Sequence, residues 1–420
     1  MFRGRASQQA QAQATASIPQ QVATATVLGH QGPVVVSNPK LSQITSLAAI
    51  PSLPFSGGSQ QSVEFFFPTT IGKLKDLVAE FRIIFSTADT SGCDITVLPS
   101  PFLVNSVEIL CNNQTMESVE ASEIWTETAQ WISDQELALQ RTPYNISSTG
   151  GIAASFNLAS EAATATKTYY LNCGSNFFVR LQPYLKAFNV DKWSIKLNLA
   201  TSITSSVKKT GTATNTTCVP TLDGLRLIAT EHVLSRAEEA REMANHARGI
   251  QYSGLIRTKF TSAPYATMSN SVDTSVQLTS LTAASAGVVY YVRKNVEANT
   301  DKLLGYELST LGLRDGGNTE LIITLPARVW ERGQASQVPV SSVMINSSPS
   351  NKYLLSNCSK FQSVLENGKF QGAFPFTGLE QVQIRPVAAL TDVRVVAVSY
   401  DHCLLNVQNG RCALNKRAYM

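Results

Sequence analysis

The sequence predicts an all-β chain with a few inserted helices, built as two successive β domains of the sandwich or jelly-roll type. Three observations predict it. Segments rich in aromatic and β-branched residues recur along the chain with polar loops between them, and helices do not alternate with them, which argues against a parallel sheet. The order of elements in 61–233 returns in 250–408, and each half closes on two adjacent strong strands. Between the halves, 234–249 reads as one short helix with a clear start and stop.

Residues 1–60 read as an extended N-terminal arm. Its beginning, QQAQAQATA, has good helix formers but no apolar stripe to hold it on a core, so up to about Ala25 it should be disordered by itself. Pro33, Pro39, Pro51 and Pro54 keep the remainder extended. The first half, 61–233, opens with the strands SVEFFFP and LKDLVAEFRIIF and continues with PFLVNSVEIL. In SVEASEIWTETAQWISDQEL, Ile124, Trp125, Ala129, Ile132 and Leu137 recur at roughly helical spacing, which predicts an inserted helix. A polar loop from Ser147 to Thr166 follows, and then KTYYLNC, NFFVRLQPYL, KWSIKLNLAT and LDGLRLIATEHVL read as strands.

In the linker helix, Ser235 and Glu238 have the S-x-x-E spacing of a capping box. Glu238 and Glu239 sit where the helix dipole favours anions, His246 and Arg248 where it favours cations, and Gly249 can close the last turn. Ala237, Ala240, Ala244 and Ala247 form a thin stripe that would let the helix lie close against another surface. The segment is an inter-barrel hinge, with Ser235, Glu238, Ala240 and Gly249 as its key positions, or else an ordinary surface helix. The second half, 250–408, carries the strands IQYSGLIRTKF, VQLTSL, GVVYYVRK, KLLGYELSTLGL and TELIITL, a short helical turn in LPARVWERG, and the closing strands LEQVQIRP and TDVRVVAVSYDHCLL. Residues 409–420 read as a basic C-terminal tail.

Of 420 residues, 43% are hydrophobic and only 15% charged, below the usual quarter or so. Polar uncharged residues make up the difference, which suits sheets whose surface is partly covered by neighbours in an assembly. A net charge of +4 does not argue for sequence-specific nucleic-acid binding. The first carboxylate is Glu64, so Arg3, Arg5 and Lys40 make the arm weakly cationic. Arg411, Lys416 and Arg417 repeat the sign at the other end, and both termini suit an anionic surface such as lipid headgroups or packaged nucleic acid. The Ala/Ser/Gln-rich start also fits an organelle transit peptide. With no secretory leader and no membrane-spanning run in the sequence, folding in a cytoplasm is expected.

Chemistry-bearing patterns are absent. Seven scattered cysteines, Cys93, Cys111, Cys173, Cys218, Cys358, Cys403 and Cys412, never stand in C-x-x-C spacing and read as reduced, buried thiols. His30, His232, His246 and His402 share no metal-ligand spacing, and no nucleophile elbow or phosphate loop occurs. Glu120 with Glu123 or Glu136 would be a glycosidase pair, but a solvated helix face is the stronger reading. Trp125, Trp131, Trp193 and Trp330 would form a sugar platform, but each sits in an apolar pattern that indicates core packing. No catalytic, cofactor-binding or metal residue is assigned, and the chain is not expected to be an enzyme.

The passages LPSPFLVNSVEILCNNQTMESVEASEIWTETAQW, YYLNCGSNFFVRLQPYLKAFNVDKWSIKLNLATS and LRLIATEHVLSRAEEAREMANHARG, in this order over nearly the whole chain, resemble the double jelly-roll major capsid proteins of the tectivirus and adenovirus lineage. The resemblance implies two consecutive eight-stranded jelly rolls and a capsid protein of the virion of an icosahedral virus, made in the host cytoplasm. It implies a homotrimer forming a pseudo-hexameric capsomer, with neighbouring capsomers and penton or minor capsid proteins as partners. The arm would lie beneath the capsomer, with Arg3 and Arg5 facing an internal lipid membrane or the genome. A viral receptor-binding spike or a carbohydrate-binding β-sandwich is the alternative.

Overall fold

The computed structural model describes residues 61–87, 103–125, 164–174, 176–200, 218–295, 305–317, 352–358 and 372–416, with shorter pieces at 24–25, 34–35, 42–50, 53–54, 93–97, 156–158, 207–210, 320–326, 344–345, 348–349, 361 and 364. Residues 1–43 form one unit, in which Thr24–Ala25 pairs antiparallel with Val34–Val35. Both β domains, from Ile44 of the first strand onward, belong to a second unit, 44–420.

The first barrel is made of β1 (Ser42–Ile50), β2 (Ser62–Phe66), β3 (Lys73–Thr87), β4 (Val104–Cys111), β5 (Gln114–Glu120), β6 (Thr164–Asn172), β7 (Trp193–Leu199) and β8 (Cys218–His232). They form two sheets, in the orders β1-β8-β3-β6 and β2-β7-β4-β5. β1 falls in the stretch that the sequence reads as arm. Strict alternation drives the sandwich: Val63, Phe65 and Phe67 are buried while Ser62, Glu64 and Phe66 are exposed, and Leu77, Ala79, Phe81 and Ile83 repeat the pattern across the core. Phe178 stacks on Trp193 with centroids 4.2 Å apart and on Phe67 at 5.5 Å, which places Trp193 in the core as its sequence pattern indicates.

Two expectations in this half are corrected. Asn112 and Asn113 take φ values of 50° and 65°, the geometry of a tight hairpin turn. The chain therefore runs back as β5 against β4, and Ser118–Glu120 is strand, not helix; α1 begins only at Ala121 and its described part ends at Trp125. The predicted continuation through Leu137 lies outside the described residues. NFFVRLQPYL is not a strand but opens with the helical turn α2 (Phe177–Arg180), because the Asn176 side chain accepts the N–H of Val179 at 2.9 Å and the turn buries Phe177, Phe178 and Val179 together.

After α3 (Arg236–Arg248) the second barrel repeats the first. Its strands are β9 (Ile250–Thr261), β10 (Thr274–Gln277), β11 (Ala284–Lys294), β12 (Leu308–Arg314), β13 (Glu320–Pro326), β14 (Tyr353–Ser356), β15 (Gln381–Pro386) and β16 (Leu390–Gln408). The sheet orders are β9-β16-β11-β14 and β10-β15-β12-β13. Each strand thus has the neighbours of the strand eight places earlier, which is one jelly-roll winding executed twice. β11 and β16 are buried on both faces: Val288, Tyr290, Val292, Val395 and Ala397 point into the barrel, while Val289, Tyr291, Val396, Val398 and Tyr400 pack on the opposite side with Leu354 and Phe361.

Part of the stretch read as a tail, Arg411–Lys416, is a strand paired with β16 through a turn in which Asn409 and Gly410 have φ values of 50° and 74°. The helical turn expected in LPARVWERG falls outside the described residues from 327 onward. Among the described residues no helix is long and apolar enough to cross a membrane.

Candidate functional site

The features that distinguish this molecule from a single sandwich lie where the two barrels meet. α3 starts as its sequence dictates: the Glu238 N–H donates to Ser235 Oγ at 3.3 Å, and the Ser235 N–H donates to Glu238 Oε2 at 2.8 Å. Gly249 ends it at φ 99°. The packed face differs from the expected one. Ala237, Ala240, Ala244 and Ala247 are all exposed in the single chain, and the helix is held by its polar side. Lys186 from the first barrel pairs with Glu239 at 2.5 Å, and Lys73 lies 3.7 Å from Glu242. His246 is the helix's one buried side chain among the described residues, inserted between Tyr184, Phe188 and Tyr252. Its Nδ1 donates to the Glu242 carbonyl at 2.7 Å, and Nε2 is hydrogen-bonded to the Tyr252 hydroxyl at 3.0 Å. One imidazole thereby joins the helix, the first barrel and β9.

Beneath the helix the barrels share a core. Ile256, Cys403, Leu405 and Val407 of the second barrel belong to the same apolar cluster as Phe177, Leu197 and Val119 of the first. A buried ion pair crosses it. Glu117 on β5 lies 3.3 Å from the guanidinium of Arg257 on β9, with both side chains essentially inaccessible. The same carboxylate accepts the N–H of Arg257 at 2.9 Å and of Phe177 at 2.7 Å. The guanidinium also lies over the Tyr400 ring, 5.3 Å from its centroid. Such a pair adds little net stability, because desolvating two ions offsets their attraction; it does fix which face of β9 meets β5.

Acids of the first barrel and bases of the second continue outward from that pair. Lys259 contacts Glu120 and lies 3.8 Å from Glu123, and Arg293 lies 3.4 Å from Glu120. Glu123 is buried, and its carboxylate takes the Glu120 N–H at 3.2 Å. The expected solvated helix face for this pair is therefore corrected: they form a clamp between barrels. Burial pushes Glu123 up to about 6 against the opposing pull of Lys259. Buried Lys352, 4.8 Å over the Tyr291 ring, is pushed down to about 7 by desolvation. Glu136 lies outside the described residues.

At the far edge of the junction the C-terminal strand meets the first barrel. Asp191 Oδ2 accepts the Cys412 N–H at 2.6 Å, and the Sγ atoms of Cys111 and Cys412 stand 3.6 Å apart. Cys173, Cys358 and Cys403 are buried free thiols as expected, whereas Cys111 and Cys412 are only half-buried. Of the basic residues assigned to an inner face, Arg3, Arg5 and Arg417 lie outside the described residues. Arg411 and Lys416 stand at opposite ends of the C-terminal strand, and Lys416 Nζ donates to Thr258 Oγ1 at 2.6 Å and lies 3.8 Å from Asp401.

Two eight-stranded jelly rolls of identical winding in one chain, sharing a core and an ion-pair clamp, define a double jelly-roll protein. Solved structures with this fold extend over almost the whole chain. It is similar to the capsid protein of the PBCV-1 virus capsid quasi-atomic model, at 14% identity over 92% of this chain and 99% of that one, with a TM-score of 0.61. The Faustovirus major capsid protein matches at 10% identity over 92% and 93% of the two chains, with a TM-score of 0.54. The mavirus major capsid protein matches at 10% identity over 94% and 93%, with a TM-score of 0.50. No protein-family model matches the sequence, and no curated protein does.

Proposed function

We propose that this chain is the major capsid protein of an icosahedral virus, three copies of which close into a pseudo-hexagonal capsomer. The observation that carries the reading is the repeated eight-strand order, clamped by the buried Glu117–Arg257 pair: three chains of two such barrels present six similar units around one axis. The likeness in fold to capsid proteins of several viruses supports it, as does a charge-poor composition suited to lateral contacts. On this reading α3 is the hinge that holds the barrels in register, and the partners are two further copies, neighbouring capsomers and penton or minor capsid proteins. The arm with Arg3 and Arg5, and the C-terminal residues Arg411, Lys416 and Arg417, face an anionic inner layer such as a lipid membrane. The protein is made in the host cytoplasm, functions in the virion and carries no catalytic role.

Electron microscopy and sedimentation of the purified chain test this. Hexagonal trimers are expected, with interfaces on the order of 2,000 Å² or more. A stable monomer at micromolar concentration would falsify it. Removing residues 1–25 should leave the melting temperature of the trimer unchanged while weakening attachment to anionic vesicles.

A further inference from the structure

Three potential metal ligands that are remote in sequence converge at the edge of the junction. Cys111 ends β4, Asp191 precedes β7, and Cys412 is the second residue of the C-terminal strand. Their ligand atoms all lie within 4.8 Å of one another. The two sulfurs are 3.6 Å apart, and Cys412 Sγ is 3.3 Å from Asp191 Oδ2. A tetrahedral zinc ion with bonds of about 2.3 Å to sulfur and about 2.0 Å to oxygen would set those edges at about 3.8 Å and about 3.5 Å. Those two edges already stand within a few tenths of an ångström of these values, and the third, from Cys111 to Asp191, is no longer than 4.8 Å, before any ion draws the atoms together.

The donors are also oriented from behind. Asn112 Nδ2 donates to Asp191 Oδ1 at 2.9 Å, which turns Oδ2 toward the sulfurs. Asn112 Oδ1 accepts the Lys192 N–H at 2.9 Å, and its own backbone is fixed in the hairpin turn at φ 50°. The Asp191 N–H donates to the Gly410 carbonyl at 3.0 Å, tying the loop to the turn that delivers Cys412. Supporting hydrogen bonds of this kind are what hold ligands in metal sites.

We propose that Cys111, Asp191 and Cys412 form a binding site for a thiophilic divalent cation, zinc foremost, that fastens the C-terminal strand to the first barrel. Two thiolates and one carboxylate match the ligand preference of zinc, and the half-buried thiols leave the fourth position to water. A disulfide is the competing use of two adjacent thiols, but it has no need of the carboxylate. This inference stands apart from the capsid reading, since it concerns one chain.

Zinc and cobalt titrations of the purified full-length chain test it, read by metal content after dialysis and by the visible spectrum of the cobalt form. The wild type should retain one ion per chain, show the intense visible bands of tetrahedral cobalt with a thiolate charge-transfer band, and melt at higher temperature with zinc present. Cys111→Ser and Cys412→Ser should each abolish retention, and Asn112→Ala should weaken binding about tenfold. Cys173→Ala, which alters a thiol elsewhere in the first barrel, should bind as the wild type does. Three outcomes overturn the proposal: wild-type uptake no greater than that of the Cys111→Ser/Cys412→Ser double variant, cobalt spectra of an all-oxygen octahedral site, or thiols that react with alkylating agent only after reduction, the mark of a disulfide. The wild-type melting shift decides the matter even if the variants fold poorly.

Discussion

One oxygen of Glu117 lies 2.9 Å from the backbone nitrogen of Arg257 and 3.3 Å from its guanidinium, so a single carboxylate of the first barrel holds both the main chain and the side chain of the second. Its other oxygen takes the N–H of Phe177, at the start of the helical turn that packs on β9. The junction is thus specified by charge and by hydrogen-bond direction, where apolar contact by itself would tolerate sliding.

Glu117→Ala should destabilise the chain by about 3–5 kcal/mol, because it leaves the Arg257 charge buried beside two backbone donors that have lost their acceptor. Arg257→Met should cost less, since the Glu117 carboxylate keeps both backbone N–H groups. Urea unfolding of the two variants checks the order, and equal or reversed losses would argue against the clamp.

Ala240→Pro removes a hydrogen bond in the middle of α3 and clashes with the preceding turn, at a cost of ~3 kcal/mol or more. Ala240 is exposed, so no packing is lost with it. β-sheet circular dichroism should survive while regular capsomers fail to form. Ser235→Ala removes only the cap, costs about 1 kcal/mol and should assemble normally. Normal assembly of the proline variant would sink the hinge reading.

Stability should depend on pH in two windows. Lys352 titrates at about 7 in the folded chain against 10.5 as its ordinary value, so its neutral form favours folding. That contribution is full above about 10.5 and is lost as pH falls through about 7. Glu123, held at about 6 against an ordinary 4.5, contributes below about 4.5 and loses its contribution as pH rises through about 6. The charges facing these groups are Glu120, Lys259, Arg257 and Arg293. Lys352→Met should flatten the upper window and Glu123→Gln the lower; unfolding midpoints measured across pH in both variants provide the check.

Gly410→Ala should free the C-terminal strand. The glycine has φ 74°, and a Cβ there would come within 1.7 Å of Asn189 Oδ1. We expect a loss of at least about 1 kcal/mol, together with faster hydrogen exchange at Cys412–Lys416 than in the wild type and unchanged exchange in β3. Unaltered exchange at the C-terminal strand would contradict the docking described above.

Sequence by itself determined the repeated β architecture and the ends of the linker helix. Alternation such as that of Val63, Phe65 and Phe67, and the Ser235–Glu238 box, act over a few residues, so local sterics and hydrogen bonding decide them wherever the segment sits. Asn112–Asn113 and Asn409–Gly410 were equally local turn signals, and weighing them would have located the β4–β5 hairpin and the final strand. Tertiary structure alone decided the junction. Glu117 and Arg257 are 140 positions apart, and Cys111 and Cys412 are 301 apart. Their meeting depends on how one barrel docks on the other. Packing of α3 on the first barrel likewise turned its polar face toward Lys73, at the start of β3, and Lys186, in the 3-10 turn Leu185–Ala187, and left the alanine stripe in solvent, because a helix buries whichever side finds partners, and these partners lie more than a few turns away in the chain.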